Sequence, residues 1–185
     1  MSIDYMVYLR REPAFDAAQF EKYAASLGIS LQTDPSFIPG EHEGYLPFRL
    51  VYGENSYKSG FEYYSEPYEE VEAEPVAVKQ SFFQKVFGKQ QISSQQNEFD
   101  RAICGAKWLI TLQCSSSADS FECLLAWTFA AYFCRYVDGI LDDPQTGTFY
   151  TQVSEIEKEI RLQLEELQKQ AQNGELIVHE FDGWE

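Results

Sequence analysis

Strict alternation of apolar and polar positions is clearest in residues 107–114, where Trp108, Ile110 and Leu112 fall on one side of the chain. A period of two residues is the pattern of a half-buried β-strand. The same alternation, or a short apolar run between turn residues, predicts the other strands: residues 3–9, 48–52, 60–64, 140–150 around a turn at 143–147, and 176–178.

A helical period predicts two prominent helices in the second half of the chain. Residues 120–137 read SFECLLAWTFAAYFCRYV and are apolar almost all round. Such a helix is normally central and covered on most sides. A long amphipathic helix is predicted at 154–172, with Ser154 as its N-cap.

Capping residues mark a shorter helix near the start. Asp16 is a good N-cap with Gln19 three residues later, which is a capping-box pattern, and Gly28 is a plausible stop. A second short helix is predicted at 76–88, where phenylalanines alternate with lysines.

Prolines, glycines and a polar run define the expected loops. Residues 30–47 contain several of both breakers and are predicted to be irregular. The Gln- and Ser-rich run near 89–98 is predicted to be a mobile loop. Strands and helices mix without regular alternation, and the length suits one domain. The sequence therefore predicts a single α+β domain over residues 1–185, with a mainly antiparallel sheet and helices packed on it.

The net charge of the chain indicates which class of partner the protein can bind. The chain carries 30 Asp and Glu against 14 Lys and Arg, a formal charge of -16 in 185 residues. Such a balance repels nucleic acid and anionic membranes and attracts basic surfaces. No apolar run approaches the roughly 20 residues of a membrane span, and the first residues lack a secretory pattern. We therefore expect a cytoplasmic protein with neither a nucleic acid nor a membrane as partner.

The acid is concentrated in one stretch, residues 57–74, where glutamates and tyrosines interleave without a basic residue after Lys58. One interpretation is a solvated edge whose charges block edge pairing. The other is a docking surface, in which carboxylates steer a basic protein and tyrosines supply anchor contacts. Asp142 and Asp143 are added as a lesser contribution. The candidate partner-binding residues are Tyr57, Glu62, Tyr64, Glu66, Tyr68, Glu69, Glu70, Glu72, Glu74, Asp142 and Asp143.

Catalytic and metal-binding motifs give little support to an enzyme. The chain has no GxSxG, no GxxxxGK[ST] and no HExxH. Asp138, Asp142 and Asp143 could grip a hard cation through oxygens, although they do not match a calcium loop, and helix termination with an Asp-Pro turn explains them as well. We expect no cofactor and no catalytic residue.

The chain contains four cysteines: Cys104, Cys114, Cys123 and Cys134. None has CxxC spacing. The first two are expected on one extended stretch and the last two on one helix, with each pair too far apart to bridge. We expect buried free thiols.

Two parts of the sequence resemble a known group of proteins. The strand AKWLITLQC is followed by an Ala-rich helix and then by ILDDPQTGTFYT. Residues 124–151 resemble a pattern of small bacterial proteins in which such a helix leads into a Gly-hydrophobic-x-Asp-Pro-Gln-x-Gly segment. GFEYYSEP, residues 60–67, resembles a strand of the same proteins. Several of them look like immunity proteins, which are small, acidic, cytoplasmic partners that neutralise toxins delivered by neighbouring cells.

The resemblance implies a binding function and assigns no functional residue, because its motifs look structural. We therefore expect an immunity protein, monomeric or weakly dimeric, that binds and neutralises a cognate, basic toxin. The alternatives are a small metal-dependent hydrolase that uses Asp138, Asp142 and Asp143, and an accessory component of a secretion or phage assembly.

Overall fold

An antiparallel sheet organises the computed structural model, which describes residues 2–69, 97–115 and 119–178. The strands in these ranges are β1 (Ser2–Leu9), β2 (Ser30–Thr33), β3 (Gly44–Tyr52), β4 (Asn55–Pro67), β5 (Trp108–Ser115), β6 (Gly139–Asp143) and β7 (Thr148–Tyr150). They form one sheet in the order β2-β3-β4-β5-β1-β6-β7, and each neighbouring pair is antiparallel. The α+β class predicted from the sequence is confirmed.

Helices cover the sheet on one face. They are α1 (Ala17–Ser26), α2 (Glu122–Tyr136) and α3 (Val153–Asn173). α2 lies directly on the sheet, against β1, β4, β5 and β6, and both α1 and α3 pack against α2. Twelve of its 15 residues are buried, so the prediction of a central helix that is covered on most sides is confirmed.

Aromatic side chains fill the space between α2 and the sheet. Phe129 is fully buried. Its ring lies between 5.0 and 6.1 Å from other aromatic rings, contributed by α1, α2, β3, β4 and the loops before α1 and β3: Phe15, Phe20, Phe37, Phe48, Phe61, Tyr63 and Phe133. Many of these pairs meet edge to face, the geometry that the ring quadrupole favours. The core is thus ordered by ring packing as well as by apolar area.

Polar side chains tie the three helices together around this core. The Asp16 carboxylate caps α1 by accepting a hydrogen bond from the Gln19 amide at 2.9 Å, as predicted. The Tyr132 hydroxyl of α2 accepts from the Asp16 amide and donates to the Gln19 side chain, so α2 completes the cap. Glu157 of α3 accepts from Tyr23 of α1 at 3.0 Å and from Arg135 of α2 at 2.7 Å.

A second, smaller apolar cluster lies on the opposite face of the sheet. Residues 97–103 are helical, and Phe99 and Ile103 pack there on Tyr8 and Ile140. The Phe99 ring meets the Tyr8 ring at 5.6 Å. Among the residues that the structure describes, this cluster covers the opposite face around β1, β5, β6 and β7.

The strand boundaries differ from prediction where prolines occur. Residues 30–47, expected to be irregular, contain β2 and the first part of β3, and the predicted strand at 60–64 is the middle of the longer β4. Pro47 lies one residue beyond the last β2 partner of β3, and Pro67 lies beyond the β3 partners of β4. A proline is tolerated where a strand has lost one neighbour, because no ladder bond is then missing.

The helix ends also differ slightly from prediction. α2 spans 122–136 rather than 120–137. α3 spans 153–173 rather than 154–172, and Gln152, not Ser154, is its N-cap, without a side-chain bond to the helix. Residues 176–178 are not a strand. They pair instead with the loop before α2, where Ser120 and Ile177 exchange two hydrogen bonds.

Two predictions fall largely on residues outside the described ranges. They are the short helix at 76–88 and the Gln- and Ser-rich loop near 89–98, of which only residues 97 and 98 are described, and these are helical. The single domain over 1–185 stays a prediction for the whole chain.

The edge strand β2 is protected by a side chain. The Glu21 carboxylate of α1 accepts hydrogen bonds from both the amide and the hydroxyl of Thr33, each at 3.0 Å. Thr33 is buried. The carboxylate therefore binds a backbone amide at the end of β2, a strand that is paired with a neighbouring strand on one side only.

We predict that Phe129→Ala lowers the free energy of unfolding by about 3–5 kcal/mol, because it removes a fully buried ring from the centre of the core. Urea unfolding measures the change. Leu162→Ala is the control, since Leu162 is 48% exposed on α3 and should cost less than about 0.5 kcal/mol. Equal costs for the two variants would contradict the central position of Phe129.

Candidate functional site

Strand β4 divides the acidic stretch between the two faces of the sheet. Successive side chains of a strand point to opposite faces. Phe61 and Tyr63 are fully buried on the helix-covered face. Glu62, Tyr64 and Glu66 lie on the opposite face, where Tyr64 and Glu66 are exposed and Glu62 is partly so. The Tyr64 hydroxyl donates to the Glu62 carboxylate at 2.7 Å, and this bond raises the pKa of Tyr64.

The strand register extends this surface across four strands. Tyr45 on β3 pairs with Glu62, which pairs with Gln113 on β5, which pairs with Asp4 on β1. The Gln113 side-chain amide donates to Asp4 at 2.9 Å. We call the surface formed by Asp4, Tyr45, Glu62, Tyr64 and Glu66 the acidic sheet face. Tyr45 is 42% exposed and Tyr64 is 39% exposed.

A basic pair lies beside the acidic sheet face. Arg49 and Lys58 pair across β3 and β4 on the same side of the sheet. Lys58 precedes Glu62 by four residues, about 13 Å along a strand. The face therefore has a carboxylate end beside a basic end, which a sequence count of charges does not reveal.

Two of the predicted tyrosines lie elsewhere. The ring of Tyr57 packs on Phe121 at 5.1 Å, at the margin of the main core. Tyr68 packs on Tyr8 at 5.2 Å within the second apolar cluster. Both are partly buried in the fold, while Glu69 is exposed just after β4. Glu70, Glu72 and Glu74 lie outside the described residues.

The three aspartates near the end of α2 do not converge. Asp138 is exposed, has a φ of 60°, and lies 3.9 Å from Arg10. Asp143 is buried and holds the β6–β7 turn, accepting from the Gln145 amide and the Thr146 hydroxyl at 3.0 Å each. Asp142 lies on the opposite face of β6 from Asp143, because the two are consecutive.

Asp142 shares a face with the acidic surface but sits apart from it. The register runs from Tyr64 through Thr111 and Met6 to Asp142, a distance of about 14 Å across three strand spacings. Burial, with a smaller contribution from the Asp143 charge, raises the pKa of Asp142 to about 6. Burial and the Asp142 charge together raise the pKa of Tyr8 to about 12.

The described residues contain no group of three or more His, Cys, Asp or Glu side chains that could hold a metal ion. For the three aspartates the reason is visible, since Asp138 is on the surface, Asp142 faces the second cluster, and Asp143 is occupied by its own turn. Among the helices of these ranges, none combines the length and apolarity that crossing a bilayer requires.

The cysteines correct one expectation. All four are free thiols, and Cys114 and Cys134 are buried as predicted. Cys104 is exposed, because it follows the helical residues 97–103 rather than lying in the strand with Cys114. Cys123 is partly buried in the first turn of α2.

Sequence reasoning missed Tyr45 and Asp4 as members of the acidic sheet face. Their alternation in β1 and β3 placed them opposite the apolar positions, which was a signal that they face away from the core. Which strands are neighbours decides whether they meet Glu62, and one sequence carries no signal of that order. Comparison with known proteins adds no further guide, because no family model, curated protein or solved structure matches the chain.

Asp142 makes stability depend on pH with a definite sign. Its folded pKa of about 6 lies above the ordinary aspartate value of 3.8, so its favourable contribution to stability is complete below about pH 4 and is lost as the pH rises through about 6. We predict that the free energy of unfolding of Asp142→Asn, compared with that of the wild type, is about 1 kcal/mol more favourable at pH 8 than at pH 4, after allowance for solvent screening.

Urea unfolding of both proteins at the two pH values measures this difference. Asp138→Asn is the matched control, because its side chain is 82% exposed and its relative stability should stay constant. A pH-independent difference between wild type and Asp142→Asn would contradict the raised pKa.

Proposed function

We propose that this protein binds a basic region of another protein through the acidic sheet face. The observation that carries the proposal is that three carboxylates and two exposed tyrosines share one surface built by four paired strands. Carboxylates accelerate the encounter with a positive partner. Tyrosines supply large contact areas at little cost in conformational entropy, which suits them as anchors.

The rigidity of the surface supports the same function. The acidic sheet face stands on strands whose other side is packed on α2, with Phe61 and Tyr63 fully buried beneath it. Glu62 and Tyr64 are joined by a hydrogen bond, as are Asp4 and Gln113. Side chains held in place before binding lose less freedom when a partner arrives.

The finer proposal is that the partner is a bacterial toxin and that this chain is its immunity protein. It is supported by the resemblance of residues 124–151 and 60–67 to such proteins, and the second of these segments lies in β4, which carries Glu62, Tyr64 and Glu66. The formal charge of -16 suits inhibition of a basic toxin. A cytoplasmic location and a monomer or weak dimer belong to the same proposal.

Neutralising the carboxylates tests the surface. We predict that Glu62→Gln/Glu66→Gln binds a candidate basic toxin, if one is encoded beside this protein, several-fold more slowly at low salt, with a flatter dependence of the association rate on ionic strength. Dissociation should change less, because rim charges act chiefly on the encounter. Stopped-flow association over a range of salt concentrations measures both.

The control is Glu165→Gln/Glu166→Gln, which removes the same charge from exposed positions of α3, a helix that packs on the other side of the sheet. It should keep the wild-type rate and salt dependence apart from a small effect of net charge. If the two double variants associate at the same rate at every ionic strength, the acidic sheet face is not the docking surface. If neither they nor the wild type bind the toxin candidate, the immunity proposal fails instead.

A further inference from the structure

A cleft of about 410 Å³ lies between the second half of α3, the loop before α2 and the chain that follows α3. Its volume falls in the range of roughly 300–1,000 Å³ that small-molecule sites span. Ile3 lines the cleft from β1 and packs on the main core, whereas its neighbour Asp4 belongs to the acidic sheet face. Consecutive residues of a strand face opposite sides, so the cleft is separate from the proposed docking surface.

Hydrogen bonds hold the walls of the cleft in place. The chain after α3 forms one wall, where the Ile177 carbonyl oxygen accepts from the Ser120 amide at 2.7 Å and the Ile177 amide donates to the Ser120 hydroxyl at 3.0 Å. Asp119 accepts from the Phe121 amide at 2.7 Å. Another wall is one face of α3, with residues three and four apart: Gln163, Glu166, Leu167 and Gln170. The cleft is therefore formed before any ligand enters it.

The lining of the cleft favours cations over anions. Among the described residues, it includes the carboxylates of Asp119, Glu166 and Glu175 and no lysine, arginine or histidine. Asp119 is only 7% exposed. Lys169 pairs with Glu166 at 3.2 Å, but the two side chains are 67% and 60% exposed. An ion pair in such a position is weak, so a bound cation can replace Lys169.

The apolar part of the lining decides which kind of cation fits. Ile3, Leu167 and Ile177 also line the cleft. A neutral apolar ligand would cover the carboxylates without giving them a partner, which is costly. A metal ion needs converging ligands, and the described part of the chain has no group of three His, Cys, Asp or Glu side chains that could hold one. A cation on a hydrocarbon stem satisfies both the carboxylates and the apolar side chains.

We propose that this cleft binds a small primary ammonium compound with a short hydrocarbon chain. The ammonium group donates hydrogen bonds to the Asp119 carboxylate and to neighbouring side-chain oxygens, while the hydrocarbon chain lies against Leu167 and Ile3. Glu166 and Glu175, both exposed at the rim, raise the local concentration of the cation. This ligand site does not depend on the acidic sheet face or on a protein partner.

The test is a titration of the folded protein with n-butylammonium, followed by amide NMR shifts. The probe should cause saturable shifts within residues 119–123, 163–170 and 175–177. The neutral 1-butanol and the anionic butyrate have a similar shape and should bind about tenfold more weakly or less, because neither offers a charged donor to Asp119. Equal affinities for n-butylammonium and 1-butanol would overturn the proposal, as would preferred binding of butyrate or shifts that never saturate.

A substitution inside the cleft tests the predicted contact with the ammonium group. Asp119→Asn keeps a carbonyl oxygen for the Phe121 amide but removes the negative charge. It should weaken binding of n-butylammonium by about tenfold or more, since a charge-assisted hydrogen bond is lost. Unchanged affinity of a folded Asp119→Asn protein would exclude Asp119 as the ammonium acceptor and overturn the proposal.

Substitutions at the rim keep the test independent of how Asp119→Asn folds. Glu166→Gln/Glu175→Gln changes exposed positions only and should weaken binding of n-butylammonium by about threefold. The matched control is Glu54→Gln/Glu165→Gln, which removes the same charge from exposed positions outside the cleft and should keep the wild-type affinity. Equal losses in the two double variants would mean that the probe responds to the overall negative charge of the protein, which would overturn the cleft as its site.

Discussion

Burial of the apolar helix α2 is the constraint on which the rest of the fold depends. Because twelve of its 15 residues are buried, α2 has almost no face that can be exposed to water without loss of stability. The sheet covers one side of it across β1, β4, β5 and β6, and α1 and α3 close the flanks. Tyr132 and Glu157 then fix how the flanking helices sit, because each makes hydrogen bonds that join two or three helices. The layered architecture follows from the need to surround one element.

Local patterns predicted the elements that depend on local physics. Alternation located β1 and β5, all-round apolarity located α2, and the Asp16 side chain capped α1 as expected. The prolines of β3 and β4 misled the prediction, because a breaker is permitted or forbidden by the strand next to it, which is non-local information. Cys104 was misplaced for a similar reason, since the helical residues before β5 carried no clear period.

The candidate surface was only half visible in the sequence. The acidic stretch is real, yet its residues are distributed between the exposed face, the main core and the second apolar cluster. What unites Glu62 with Tyr45 and Asp4 is the register of three strand pairs, and Asp4 lies more than fifty residues away in the chain. A slip of one residue in β4 would turn Glu62 and Tyr64 toward the core. The surface is therefore a property of strand pairing, and the packing beneath it determines its geometry.

The way the sheet ends limits how another polypeptide can join it. β2 and β7, at the two edges, are only 4 and 3 residues long, and Glu21 already occupies an amide and a hydroxyl of Thr33. An incoming strand would find few unpaired backbone groups and would have to displace a carboxylate to reach them. Growth of the sheet by strand addition, whether from a second copy or from a misfolded chain, is thereby discouraged at both margins. At high protein concentration, these short and partly occupied edges therefore act together with mutual charge repulsion to keep copies of the chain from associating through their sheets.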